Sequence, residues 1–307
     1  MKVVALAGGI GASKFLTGLV EVLPAEEITI IVNTGDDFHW MGLYICPDLD
    51  TVTYTLAGLA NPETGWGIRG DTFHGLERLQ TLGCDTWFKL GDRDLATHIY
   101  RSQKIREGQT LAEVTGDIAR QNGLRSSILP MTNNQVPTEI QTDQGILPFQ
   151  EYFVRRRCQP RVQAFLFRTI ETALPAPGVL EVVRSADAIL VCPSNPFISI
   201  GPILAVPGIR DALHETDAKV VAITPIIAGQ AIKGPTARML GELGHEVSAV
   251  SVARMYRDFL DIFVLDQSDA ALVPQVEKLG MEVRLAETLM TEHRSKIDLA
   301  RNVIRMV

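Results

Sequence analysis

The chain has 307 residues, 46% of them hydrophobic, enough to bury one large core or two closely joined ones. A formal net charge of −7 at pH 7 argues against general nucleic-acid binding, which draws on a basic field. Cys46, Cys84, Cys158 and Cys192 are too scattered for a metal site or a disulfide framework, no apolar stretch reaches the ~20 residues of a membrane span, and the apolar start is too short for a signal peptide, so a soluble cytoplasmic protein is expected.

Apolar, β-branched runs recur at residues 3–7, 28–32, 188–192, 220–223, 247–250 and 262–265. They are continuous rather than alternating. This predicts strands buried on both faces, hence a doubly wound, mostly parallel, Rossmann-like α/β sheet. Residues 51–125 read as mainly helical. The stretch 139–183 breaks the pattern. Residues 138–142, the turn Asp143-Gln144-Gly145 and residues 146–149 read as a hairpin, and the run Arg155-Arg156-Arg157 follows. We expect a smaller inserted subdomain at 139–183, with residues 1–138 and 184–307 forming the sheet domain. The arginine run reads as a solvated face, an oligomer contact or a lid that meets phosphate.

The first run breaks into Gly8-Gly9-Ile10-Gly11-Ala12-Ser13-Lys14. Strand, glycine loop and helix in succession let the backbone approach a phosphate at a helix N-terminus, and Lys14 adds a cation. The spacing is not that of a P-loop, which needs Gly-Lys-Ser/Thr. Nor is it a full dinucleotide fingerprint: Lys14 stands where the third glycine belongs, and the second strand ends in Asn33 rather than an acid. A tight turn with no ligand is the alternative.

Ligands of such sheets gather beyond the carboxyl ends of the strands, which directs attention to the loops there. Asn33-Thr34-Gly35-Asp36-Asp37 suits a magnesium ion or an Asx-type turn. In Pro47-Asp48-Leu49-Asp50-Thr51, an extended backbone turns Asp48 and Asp50 to one side. Asp50 equally suits the N-cap of a helix from near Val52. Lys89-Leu90-Gly91-Asp92-Arg93-Asp94 precedes a helix carrying His98 and Arg101. Lys89, Arg93 and Arg101 offer cations, whereas a lone helical histidine such as His98 reads as structural. In residues 192–202, Ser194, Asn195 and Ser199 offer hydrogen bonds and Gly201 allows close approach, which suits a nucleotide. Lys233-Gly234 is a second candidate phosphate contact.

These motifs, with Ile128-Leu129-Pro130-Met131, Pro193-Ser194-Asn195-Pro196 and Thr288-Leu289-Met290, run in order over nearly the whole chain. As a set they resemble the 2-phospho-L-lactate transferases of coenzyme F-420 biosynthesis. The resemblance implies transfer of a phospholactyl group from a guanosine diphosphate conjugate to the terminal ribityl hydroxyl of 7,8-didemethyl-8-hydroxy-5-deazariboflavin. GMP leaves and Mg2+ is required. Bacterial members use the enolpyruvyl donor. The residues matching the family's acceptor contacts are Asp50 and Lys89, with Asp92 and Arg93 beside them. Gly8, Gly9, Gly11 and Lys14 are then expected on the donor diphosphate. Ser194, Asn195, Ser199 and Gly201 are expected on its guanosine. Asp36, Asp37, Asp48 and Asp50 form the pool for magnesium and for orienting the acceptor hydroxyl, with Asp50 nearest to it. Trp66, Phe73 and His74 are candidates to stack on the deazaflavin, or else core residues. A homodimer is expected.

Ala12-Ser13 and residues 37–44 depart from the archaeal pattern, which leaves lactyl against enolpyruvyl donor open. Two other readings compete. One is a non-enzymatic nucleotide-sugar-binding regulator of related fold, against which the acidic motifs and Lys89 to Asp94 argue. The other is an NAD-dependent oxidoreductase, against which Lys14 and Asn33 argue.

Overall fold

A computed structural model of the protein describes every residue except Lys233, so of the second candidate phosphate contact Lys233 lies outside the described residues, while Gly234 lines the cavity described below. In chain order the strands are β1 (Val3–Ala7), β2 (Ile28–Val32), β3 (Phe38–Trp40), β4 (Leu43–Ile45), β5 (Ser127–Pro130), β6 (Thr138–Thr142) and β7 (Gly145–Pro148). They continue with β8 (Val162–Phe167), β9 (Ala188–Val191), β10 (Lys219–Ile223), β11 (Ile226–Ile227), β12 (Gln230–Ala231), β13 (Ile262–Asp266) and β14 (Glu282–Ala286). Among the described residues, seven of them form one parallel sheet in the order β14-β13-β10-β9-β1-β2-β5.

The continuous apolar runs explain this sheet. Every residue of β1, β9 and β13 is buried, as strands covered by helices on both faces must be. Each fully buried aliphatic side chain contributes about 1.5–3 kcal/mol. β1 sits at the centre, with Leu6 in register with Ile31 of β2 and Val191 of β9. From β1 the chain works outward through β2 and β5, then returns to β9 and works outward the other way. The direction of winding reverses between β1 and β9, so a crevice opens beyond their carboxyl ends. The loops there begin at Gly8 and Cys192.

Two strands of this sheet lie outside the apolar runs, and both are its edges. β5 is short and ends in Pro130, tolerable at an edge because no neighbour needs its N–H. β14 has mostly exposed residues, Glu282 and Arg284 among them. The run at 247–250 is not a strand. Ser248 caps a helix over Ala249–Tyr256, its hydroxyl accepting from the Val250 N–H.

Five helices matter for the site: α1 (Gly9–Val22), α2 (Pro47–Leu56), α3 (His74–Thr81), α4 (Asp92–Arg106) and α5 (Leu111–Gln121). α2 starts at Pro47, five residues before the expected start, because proline is well suited to the first helical position. The expected hairpin forms as β6 and β7, and β8 joins it in a separate antiparallel sheet, β7-β6-β8. No helix among the described residues is long and apolar enough to cross a membrane.

Candidate active site

A cavity of about 690 Å³ opens at the reversal point. Its polar wall comes from the β1–α1 loop (Gly8, Gly9, Gly11, Lys14), the loop after β9 (Ser194, Asn195, Ser199), and Asp36, Asp48 and Asp50. Gly9 adopts φ +70°, a left-handed conformation that glycine alone takes without strain. The two loops are in close contact. The Ser194 hydroxyl donates to the Gly8 carbonyl at 2.8 Å, and a Cβ on Gly11 would stand 2.3 Å from the Pro193 carbonyl oxygen.

The acidic residues divide into two groups. Because α2 begins at Pro47, Asp48 and Asp50 lie on a helix, about 200° apart around its axis. The extended-segment reading, in which both face one way, gives way to this. Asp48 turns to the glycine loop, where its Oδ1 accepts from the Gly9 N–H at 2.8 Å. The Asn33 amide donates to Asp48 Oδ2 at 2.9 Å, to Asp36 Oδ1 at 3.3 Å and to the Ile198 carbonyl at 3.2 Å. Burial pushes the Asp48 carboxyl up to about 6, against the pull of Asn33 and Gly9. Burial, and then the charges of Asp48 and Asp37, hold Asp36 well above the usual carboxylate range.

Asp50 turns the other way, onto α4. The Arg101 guanidinium forks onto it, Nη2 to Oδ1 and Nη1 to Oδ2 at 3.1 Å. His98, one turn before Arg101, places Nδ1 3.0 Å from Arg101 Nη1 and Nε2 3.2 Å from Asp94 Oδ1. The Tyr54 hydroxyl donates to the same Asp94 oxygen at 2.8 Å. The spacings 94, 98 and 101 are i, i+4 and i+3 steps, which bring the three side chains onto one face of α4.

Trp66, Trp87, Phe88, Phe149 and Phe153 also line the cavity, and Phe149 stacks on Phe153 with centroids 5.3 Å apart. Lys89, exposed, and Arg157 also border the cavity.

The family model for 2-phospho-L-lactate transferase CofD matches residues 3–300. The chain belongs to the CofD family. The 2-phospho-L-lactate transferase of Methanosarcina mazei is 42% identical over 299 residues, which cover 97% of this chain and 98% of the relative. The phosphoenolpyruvate transferase of Streptomyces griseus is 44% identical over 314 residues, covering 100% and 98%. A solved structure of a UPF0052-family protein from Bacillus halodurans aligns over 99% of this chain and 100% of its own at a TM-score of 0.70. At 16% identity it speaks for the fold alone.

Within this CofD-family chain the expected site residues separate. Gly8, Gly9, Gly11, Lys14, Asp36, Asp48, Asp50, Lys89, Ser194, Asn195 and Ser199 line one cavity. Lys14 also donates to the Met290 carbonyl at 3.3 Å. Asp37 faces a separate cavity of about 200 Å³ with Tyr44 and Val136. Asp92 is committed to the start of α3, accepting from Thr72 Oγ1 at 2.6 Å and from the His74 and Gly75 N–H groups. Arg93 is exposed beside it, and neither borders the cavity. Gly201 packs in the short helix Ile200–Ala205, where a Cβ would stand 2.9 Å from the Pro196 carbonyl oxygen. Of the three proposed stacking residues, Trp66 borders the cavity; Phe73 and His74 do not.

Asn33, Tyr54, Asp94 and the aromatics Trp87, Phe88, Phe149 and Phe153 carry no site role in the sequence reading. Asn33 entered the reading as the first residue of the Asn33 to Asp37 motif and as a missing acid, with no role of its own, though a polar residue at the carboxyl end of β2 is where a ligand-side contact belongs. The arginine run serves three ends. Arg155 pairs with Asp85 at 3.1 Å and lies 6.0 Å from the Trp87 ring centre, Arg156 pairs with Glu151, and Arg157 borders the cavity.

Proposed function

We propose that the protein transfers a phospholactyl or phosphoenolpyruvyl group from a guanosine diphosphate conjugate to the terminal ribityl hydroxyl of 7,8-didemethyl-8-hydroxy-5-deazariboflavin, in coenzyme F-420 biosynthesis. One observation carries this reading. A single cavity joins a backbone cradle suited to a diphosphate with five aromatic side chains suited to a flat heterocycle, and Asp50 also lines it. Membership of a transferase family supports it, as do relatives bearing both donor names.

The acceptor oxygen attacks the phosphorus on the acid side of the diphosphate. The bond to the bridging oxygen breaks, GMP leaves with that oxygen, and the acceptor's hydroxyl proton passes to solvent. Such a transfer depends on positioning and charge neutralisation more than on covalent help from the protein. The Ile10–Gly11 backbone at the start of α1 and Lys14 hold the donor phosphates, and the loop at Ser194, Asn195 and Ser199 holds the nucleoside. Asp50 accepts a hydrogen bond from the acceptor hydroxyl through a lone pair that Arg101 leaves open, and Lys89 lies at the acceptor end.

Asp36 and Asp48 fit a magnesium ion. They are two hard oxygen donors, both buried at the glycine loop and bridged by the Asn33 amide. The ion would neutralise diphosphate charge there.

Incubating the protein with deazaflavin, magnesium and each donor separately, with mass detection of product, tests the reading. A lactyl or a dehydro product names the donor. Deazaflavin binding with neither product refutes the donor assignment, and no binding of either substrate refutes the reading as a whole.

A further inference from the structure

We propose that His98 is a positioning residue, which locks Arg101 against Asp50 so that the Asp50 carboxylate keeps one orientation toward the cavity. This rests on the transfer reading for what Asp50 does, but its geometry stands on its own. Arg101 is buried to 2% exposure, and its guanidinium has donors only. One Nη1 hydrogen goes to Asp50 Oδ2 at 3.1 Å, and the other lies between His98 Nδ1 at 3.0 Å and, more distantly, the Tyr44 carbonyl at 3.5 Å. Nδ1 is therefore an acceptor, and the ring hydrogen belongs on Nε2, which faces Asp94 Oδ1 at 3.2 Å without full alignment. Arg101 Nε has no partner, so the planar fork is fixed at its far end, by Asp50, His98 and the Tyr44 carbonyl, rather than from its stem. Asp94, held by the Tyr54 hydroxyl, faces the far side of the ring. Removing the His98 acceptor frees one edge of the guanidinium, and Asp50 turns with it.

The ligand atoms of Asp50, Asp94 and His98 lie within 4.8 Å of one another, a spacing a metal ion can also use. Arg101 already supplies a cation there, at hydrogen-bond distance from the same His98 nitrogen and the same Asp50 carboxylate. The positioning role follows from that occupancy.

Two measurements test the proposal. In protein labelled with ¹⁵N-histidine, one of six histidine signals disappears in His98→Asn and is thereby assigned. It is expected as the Nε2–H tautomer, unmoved by EDTA. An Nδ1–H tautomer, or a shift on chelation, overturns the proposal. In transfer kinetics, His98→Leu removes the acceptor, while the side-chain oxygen of His98→Asn reproduces it near Nδ1. Turnover in His98→Leu is expected to fall about 10- to 100-fold with acceptor KM little changed, the usual range for a group that orients another. His98→Asn is expected to restore most of it. Equal loss in both variants, or recovery in His98→Gln but not His98→Asn, overturns the proposal. Absence of turnover in the unaltered protein counts against the transfer reading, and the tautomer then decides the role of His98.

Discussion

Arg101 grips both carboxylate oxygens of Asp50 from 51 residues away in sequence, and both side chains are buried. Such a pair is held by complementarity more than by net attraction, and the cost appears when one partner is removed. Arg101→Met leaves Asp50 buried without its cation. Its unfolding free energy in urea is expected to fall by about 3–5 kcal/mol. A loss below 1 kcal/mol would show that water reaches Asp50 freely.

Asp48 imposes a pH dependence. Its carboxyl is raised from 3.8 to about 6 by burial. Below the lower value both folded and unfolded chains hold the proton. As the pH rises, the unfolded chain releases it first, so stability falls between about pH 4 and 6 and stays lower above that range. The rise corresponds to about 3 kcal/mol. In EDTA, Asp48→Asn is expected to gain stability relative to the unaltered protein on going from pH 4 to pH 7. Magnesium should restore the unaltered protein at pH 7 and have little effect at pH 4. A difference that stays constant across this range would refute the shift.

Gly11 allows the β1 and β9 loops to touch. A methyl group there would meet the Pro193 carbonyl at 2.3 Å, and this backbone atom has no rotamer by which to yield. Gly11→Ala is expected to lose about 1–3 kcal/mol, as overpacked sites do. GDP binding by calorimetry should weaken with it. Unchanged GDP affinity would remove this loop from the donor site.

Trp66 lines the cavity and is 42% exposed, so its ring is open to a flat ligand there. Trp66→Ala is expected to weaken deazaflavin binding, followed by the ligand's fluorescence, by about 1–3 kcal/mol, the range for a lost aromatic stack on a base. Phe73→Ala, which changes an exposed residue outside the cavity, should leave it unchanged.

Much was legible in order along the chain. Buried strands require unbroken apolar runs, so β1, β2, β9, β10 and β13 stand out, and the parallel sheet follows. The two edges, β5 and β14, were not legible because an edge strand with a proline or exposed charges has no such requirement. Residues 247–250 show the opposite ambiguity: a short apolar run fits a strand or a helix equally, and Ser248 decided for the helix by capping it.

The candidate site was legible as a set of motifs because each loop after a strand carries glycine, acid or amide in a short span. Which way those groups face was not. Asp48 and Asp50 are separated by one residue, yet the helical turn at Pro47 sends one to Asn33 and Gly9 and the other to Arg101. Asp92 and Asp94 lie in one motif, but Asp92 caps α3 while Asp94 reaches His98. Local sequence determined the strands, the glycine turn and the stock of charged groups, since these depend on near neighbours. The tertiary structure decided the pairing of Asp50 with Arg101, the hub at Asn33 and the aromatic lining of the cavity. Those contacts join residues 15 to 165 positions apart, as at Asn33, and exist only once the sheet has brought their loops to one edge.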